Sequence, residues 1–132
     1  MSNSTATRQR PLSPHLQIYR WTPTMAMSIL HRITGIALYF GMLLVAWWLI
    51  AAATSASWFD TANWIMGSWF GLLVLIGFSW ALIHHALGGV RHYIWDTGVG
   101  LEKRTSTILS SLTLVGSILL TAVLWAAYYV LL

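Results

Sequence analysis

A group of ionisable residues closes a long apolar run in the middle of the chain, at positions 84–98. It holds three of the five histidines, an arginine and an aspartate: His84, His85, Arg91, His92 and Asp96. Ionisable groups within the hydrocarbon region of a membrane are costly unless they face a partner or a cofactor. These residues are therefore the first candidates for a functional site.

Helical spacing assigns the two adjacent histidines to different sites. Neighbouring residues on a helix point about 100° apart, so His84 and His85 cannot bind one metal together. His85 shares a face with Gly88, Gly89 and His92. A haem needs an imidazole for its iron and small residues where the porphyrin lies against a helix, and this face supplies both. A hydrogen bond to another helix is the alternative for His85 and the preferred interpretation of His84.

A six-coordinate haem needs a second axial ligand on the other side of the ring. Within this chain the only spanning candidate is His31; otherwise the ligand comes from another subunit. His85 and His92 lie about 10 Å apart along the helix axis, so they cannot clamp one iron between them. We expect His92 near the haem propionates or at the membrane interface.

Ser28 and Arg32 form a second candidate site, because residues four apart share one face of a helix. A hydroxyl and a guanidinium at the membrane boundary suit the carbonyl oxygens of a quinone, although an arginine there can also simply snorkel to the interface. Asp96 is expected at the same depth as Arg32, as its counter-ion. Arg91 is expected to bind a haem propionate or a lipid phosphate.

The composition is that of an integral membrane protein. Of the 132 residues, 58% are apolar and 8% are charged, whereas soluble domains carry about 25% charged residues. The absence of cysteine excludes thiolate and iron–sulfur ligation by this chain. A net charge of +4 from so few ionisable residues does not favour nucleic-acid binding.

Three charge-free apolar runs predict an all-α membrane domain, residues 23–132, with transmembrane helices at about 23–53, 62–96 and 106–131. The helix at 62–96 exceeds the length that a bilayer requires, so it must tilt or protrude. A polar loop at 54–60, with Asp60 and Thr61 as a helix cap, is expected to join the first two helices. Gly98 is expected to stop the second.

The basic residues indicate the topology. Residues 1–22 form a segment at the membrane surface, and the lysines and arginines lie either before the first span or around the loop between the second and third: Arg8, Arg10, Arg20, Arg32, Arg91, Lys103 and Arg104. The positive-inside rule places these regions in the cytoplasm of a bacterium, with the chain in the inner membrane. In a mitochondrial inner membrane they would face the matrix.

Two motifs resemble the signatures of the cytochrome b membrane-anchor subunits of succinate dehydrogenase, respiratory complex II. The first is Ser-Ile-Leu-His-Arg-Ile-Thr-Gly at 28–35, and the second runs from His85 through Gly89-Val90-Arg91-His92 to Asp96-Thr97-Gly98. Arg-Pro-Leu-Ser-Pro-His-Leu at 10–16 resembles the N-terminal motif of the mitochondrial and alphaproteobacterial branch. The third span matches only as an apolar helix.

The resemblance implies that the chain is half of a heterodimeric helix bundle in which two anchor subunits sandwich one haem b. It implies docking of an iron–sulfur subunit and a flavoprotein subunit on the positive side. His85 becomes the axial ligand, and the partner anchor supplies the other. Ser28 and Arg32 border the ubiquinone site, while His31 and Arg91 approach the propionates.

Two other functions remain as alternatives at the level of the sequence. One is a small proton- or ion-translocating subunit with His31, His84, His85 and Arg91 as a relay. The other is a quinol:fumarate reductase anchor, which runs the reverse reaction.

Overall fold

A computed structural model describes residues 11–131; residues 1–10, with Arg8 and Arg10, and residue 132 lie outside the described part. Five helices follow in order: α1 His15–Ile18, α2 Pro23–Thr54, α3 Ala56–Gly67, α4 Trp69–Asp96 and α5 Lys103–Leu131. Residues 11–131 contain no strand, so the all-α prediction is confirmed. The one-turn helix α1 lies in the N-terminal segment that we expected at the membrane surface.

Three of these helices, α2, α4 and α5, are long and apolar enough to cross a membrane, as predicted. They contain 32, 28 and 29 residues. At about 1.5 Å per residue each exceeds a hydrocarbon core of about 30 Å, so each tilts or extends beyond it. Thr22 caps α2, and Pro23 occupies its first turn.

The prediction of one helix over 62–96 is wrong, because Ser68 separates α3 from α4. Its backbone is extended (φ −65°, ψ 158°), and its hydroxyl accepts from the Gly71 N–H at 3.1 Å while donating to the Ile65 carbonyl at 2.6 Å. A Cβ at Gly71 would collide with the Ile65 carbonyl oxygen. Serine capping and the missing side chain at Gly71 therefore allow α3 to end and α4 to begin at Ser68.

The prediction of a polar loop at 54–60 is also wrong, since Ser55 alone joins α2 to α3. Its backbone is extended, and its hydroxyl accepts from the Trp58 N–H at 3.2 Å, which satisfies the first turn of α3. Asp60 and Thr61 lie inside α3 rather than at its cap. Ser55 precedes them in the chain, so the helix begins at the first available capping residue.

Glycine ends α4 as expected. Gly98 has φ +79°, a left-handed conformation that glycine adopts without strain, and its N–H donates to the Trp95 carbonyl at 2.9 Å. The indole of Trp95 donates in turn to the Gly100 carbonyl at 3.2 Å. The connection to α5 is therefore short and held close to the end of α4.

The three spans pack antiparallel, and pairs of contacting residues show how the helices are aligned with one another. Gly35 faces His85 and Gly41 faces Phe78 across α2 and α4, while His84 meets Ser117 across α4 and α5. The beginning of α2, the end of α4 and the beginning of α5 consequently lie at one end of the bundle. That end carries the basic residues of the described part, as predicted.

Polar side chains line the contact of α5 with the other helices, whereas large apolar side chains point outward. The buried residues of α5 are all small and hydroxylated: Ser110, Thr113, Ser117 and Thr121. Their hydroxyls bond to backbone carbonyls of α5 itself. This distribution is typical of membrane bundles, where small residues allow close helix packing and lipid solvates the apolar side chains.

Candidate functional site

Three histidine rings meet where the first half of α2 packs against the second half of α4. The rings of His31 and His85 stack with their centroids 3.9 Å apart and their planes 9° from parallel. The ring of His92, two turns nearer the end of α4 than His85, lies 5.3 Å from that of His31. The structure thus brings together three of the residues that the sequence singled out.

Two glycines permit this close contact between the helices. A Cβ at Gly35 would lie 3.0 Å from Cε1 of His85, and a Cβ at Gly88 would collide with Nδ1 of His31. Gly88 therefore makes room for a histidine rather than for a porphyrin. Gly89 differs, because no atom lies within 4 Å of the position of its missing Cβ. The surface of α4 at Gly89 is accordingly not covered by another helix of the described chain.

The hydrogen bonds of His85 define which ring nitrogen can bind a metal. Its Nδ1 lies 3.1 Å from the His31 carbonyl oxygen and 3.4 Å from the Thr34 hydroxyl. A carbonyl only accepts, so Nδ1 carries the proton and donates. In the neutral ring Nε2 then keeps its lone pair, which is the form that ligates metals. Within residues 11–131, Nε2 makes no hydrogen bond.

His31 is not positioned to be the second ligand of an iron bound to His85. Two axial imidazoles approach opposite faces of a porphyrin end-on, whereas these two rings lie face to face with no room between them. Within the described part of the chain, no three potential ligands converge to hold a metal ion. His31 and His85 are therefore not arranged as two ligands of one iron.

His84 forms the interhelical hydrogen bond that we expected for it. It is fully buried, and its Nδ1 lies 3.1 Å from the Ser117 hydroxyl. Since that hydroxyl donates to the Leu114 carbonyl at 2.8 Å, it accepts from His84. This bond ties α4 to α5 on the side of α4 away from the His31–His85 pair.

Arg91 lies between α4 and α5 instead of joining the three histidines. Its side chain is 2% exposed, Nη1 donates to the Ser110 hydroxyl at 3.3 Å, and the guanidinium carbon lies 5.1 Å from the centre of the Trp95 ring. The aromatic face and the hydroxyl partly compensate the buried charge. Its role at a propionate stays a prediction.

The candidate quinone residues lie at the same end of the bundle as the histidines. Ser28 is half-buried on α2, while Arg32 and Asp96 are exposed. Within residues 11–131, no ion pair joins Arg32 to Asp96. Exposed side chains gain little from such a pair, so the expected counter-ion contact is absent.

Sequence reasoning missed the hydroxyl residues that hold the histidines and Arg91. Thr34 contacts His85, Ser117 contacts His84, and Ser110 contacts Arg91. The signal on α5 was the recurrence of serine and threonine at intervals of three or four, which marks the packed face of an apolar helix. Thr34 gave a weaker signal, as a hydroxyl one turn beyond His31.

Substituting Gly88 with alanine tests the packing of the histidine cluster. The added methyl would displace the His31 ring, so we expect a loss of about 1–3 kcal/mol in the free energy of unfolding. Gly77→Ala on the same helix is the matched control, because its Cβ meets nothing within 4 Å. Thermal unfolding in detergent compares the two, and equal stabilities would contradict the packing described here.

Comparisons with known proteins agree on one family. Residues 6–124 match the family model described as succinate dehydrogenase/fumarate reductase transmembrane subunit. The chain is 44% identical to the succinate dehydrogenase cytochrome b556 subunit of Paracoccus denitrificans, over 92% of this chain and 93% of that protein. It is 38% identical to the b556 subunit of Rickettsia felis (89% and 91% covered) and 36% identical to the mitochondrial cytochrome b560 subunit of Sus scrofa (86% and 70% covered).

Proposed function

Because this chain belongs to the family of succinate dehydrogenase/fumarate reductase transmembrane subunits, we propose that it is the cytochrome b anchor of a succinate:ubiquinone oxidoreductase. In this role it binds haem b and ubiquinone and passes electrons from the iron–sulfur subunit to the quinone. The observation that carries the proposal is the state of His85, whose Nδ1 is engaged by a backbone carbonyl and whose Nε2 is available.

The residues around His85 fit a haem. The ring is half-buried, Gly89 leaves open space on the same face, and His31 and His92 lie on the side of the positively charged end. When bound, the haem supplies a one-electron redox centre beside the quinone. His31, Arg32 and His92 are its proposed surroundings and would supply donors for the propionates. Arg91 is proposed as a further propionate residue, although in this structure its Nη1 donates to Ser110 between α4 and α5.

A second membrane-anchor subunit would supply the other histidine that holds the haem. Support for this arrangement comes from the stacked geometry of His31 and His85, which excludes an iron between them. The names of the relatives in Paracoccus denitrificans and Sus scrofa place them in succinate dehydrogenase. By analogy, the iron–sulfur and flavoprotein subunits dock on the basic end of this bundle, and the succinate site lies on those subunits.

The quinone site is proposed at Ser28 and Arg32. The Ser28 hydroxyl and the Arg32 guanidinium donate to the carbonyl oxygens of the quinone head group. As electrons arrive, negative charge grows on those oxygens, and a charged donor stabilises it more strongly than a neutral one. Two electrons and two protons convert the quinone to quinol. Asp96, exposed at the same end of the bundle, is the proposed supporting carboxylate of this site.

The proposed location is the bacterial inner membrane, with the N-terminus in the cytoplasm; a mitochondrial inner membrane is the alternative. Its support is the clustering of basic residues at one end of the bundle, which the positive-inside rule assigns to the cytoplasm or the matrix.

Visible spectra of the complex purified with its native partners test the proposal. Addition of succinate is expected to produce the absorption bands of reduced haem b, and subsequent ubiquinone to reverse them. A complex that oxidises succinate but contains no haem contradicts the haem assignment. The family model also covers fumarate reductase, so rates should be measured in both directions; faster fumarate reduction by quinol would favour the reverse reaction.

A further inference from the structure

We propose that Thr34 is a positioning residue for the axial histidine, accepting a hydrogen bond from Nδ1–H of His85 alongside the His31 carbonyl. This inference rests on the proposed function of His85 as the haem ligand. Thr34 lies on α2, is 1% exposed, and places its hydroxyl 3.4 Å from Nδ1 of His85 on α4. It is the one side chain of the described residues that hydrogen-bonds to the His85 ring.

The Thr34 hydroxyl acts as an acceptor toward His85, because its one proton is already used. Its hydroxyl oxygen lies 3.0 Å from the Leu30 carbonyl and 2.9 Å from the His31 carbonyl, so its single proton is directed to its own helix. The lone pairs of the oxygen remain for an external donor. Nδ1–H of His85 is that donor, and it is shared between the Thr34 hydroxyl and the His31 carbonyl at 3.1 Å.

The neighbours of Thr34 hold this arrangement in place. The β-branched side chain has few accessible rotamers on a helix, and its bonds to the backbone of α2 fix the hydroxyl further. On the next position, Gly35 lets the His85 ring approach α2, since a Cβ there would lie 3.0 Å from Cε1. Two acceptors on α2 thus orient a ligand carried by α4.

An acceptor on Nδ1–H has two effects on a metal-bound imidazole. It fixes the tautomer and the ring orientation, and it raises the basicity of the ligating nitrogen. A more basic ligand stabilises the ferric over the ferrous state, so it lowers the midpoint potential of the haem. Removing the Thr34 hydroxyl is therefore expected to raise that potential.

The test compares Thr34→Val, Thr34→Ser and Thr121→Val in the complete complex. Valine keeps the shape and removes the acceptor, whereas serine keeps the acceptor. Thr121 is the matched control, because it is buried on α5 and also bonds to a carbonyl of its own helix, with no contact to His85. The readouts are haem content per complex, the midpoint potential and the g-values of the ferric haem in electron paramagnetic resonance.

We expect Thr34→Val to shift the midpoint potential upward and to alter the g-values, with reduced haem content, while Thr34→Ser and Thr121→Val match the wild type. Wild-type potential and g-values in Thr34→Val would overturn the inference, as would equal haem loss in Thr34→Val and Thr121→Val. If Thr34→Val does not assemble, Thr34→Ala is measured by the same criteria. A wild-type complex without haem would instead refute the proposed function.

Discussion

Replacing His85 with alanine is expected to remove haem b from the assembled complex. The substitution deletes the iron ligand of this chain, and neither neighbouring histidine is placed to replace it. His84 points toward α5 and bonds to Ser117, while His31 is packed over Gly88. Loss of an outer partner of a metal ligand costs about 10–100-fold in affinity, so loss of the ligand itself should exceed that. Reduced-minus-oxidised spectra measure the effect.

Two histidine variants serve as controls for this result. His15→Ala removes an exposed imidazole of α1, and we expect an unchanged haem spectrum. His84→Gln keeps a hydrogen-bonding group beside Ser117 and is likewise expected to retain haem. Subunit content, measured by gel electrophoresis, verifies that each complex assembles. A normal spectrum in His85→Ala, or its loss in His84→Gln alone, would contradict the assignment of the ligand.

Replacing Arg32 with glutamine is expected to lower the rate of succinate-driven ubiquinone reduction by about 10- to 100-fold. A hydrogen bond to a charged group contributes about 1.5–3 kcal/mol, and Arg32 is proposed to donate one to the quinone oxygen as negative charge develops. Oxidation of succinate by a water-soluble artificial acceptor should stay unchanged, because that acceptor takes electrons before they reach the quinone.

Arg20→Gln is the matched control for this variant. Arg20 is an exposed arginine just before α2, at the same end of the bundle, and it has no proposed contact with the quinone. We expect wild-type rates with both acceptors. Equal loss of ubiquinone reduction in the two variants would show that general positive charge, rather than a contact of Arg32, supports the reaction.

The three membrane spans could be predicted because hydrocarbon excludes charge, and the charge-free runs mark them directly. The division between α3 and α4 could not. It depends on the contact of Gly71 with the Ile65 carbonyl and on the capping of Ser68, which appear only when the two helices are folded against each other. In the sequence the same residues continue an apolar helical run.

The candidate site, too, could be predicted only as far as the geometry of a single helix allows. Helical geometry alone separated His84 from His85, and the structure directs them to different neighbouring helices. The stacking of His31 on His85 requires the register of α2 against α4, which Gly35 and Gly88 permit. The orientation of Arg91 toward Ser110 depends in turn on the register of α5, which the sequence showed only as an apolar span.

The most direct test of the account is a high-resolution map of the complex assembled with its partners, examined at the His85 ring. We expect density for a porphyrin iron bonded to Nε2 of His85, with Nδ1 facing the His31 carbonyl and a second imidazole supplied by another subunit. A His85 ring that contacts only protein, with no porphyrin beside it, would contradict the account.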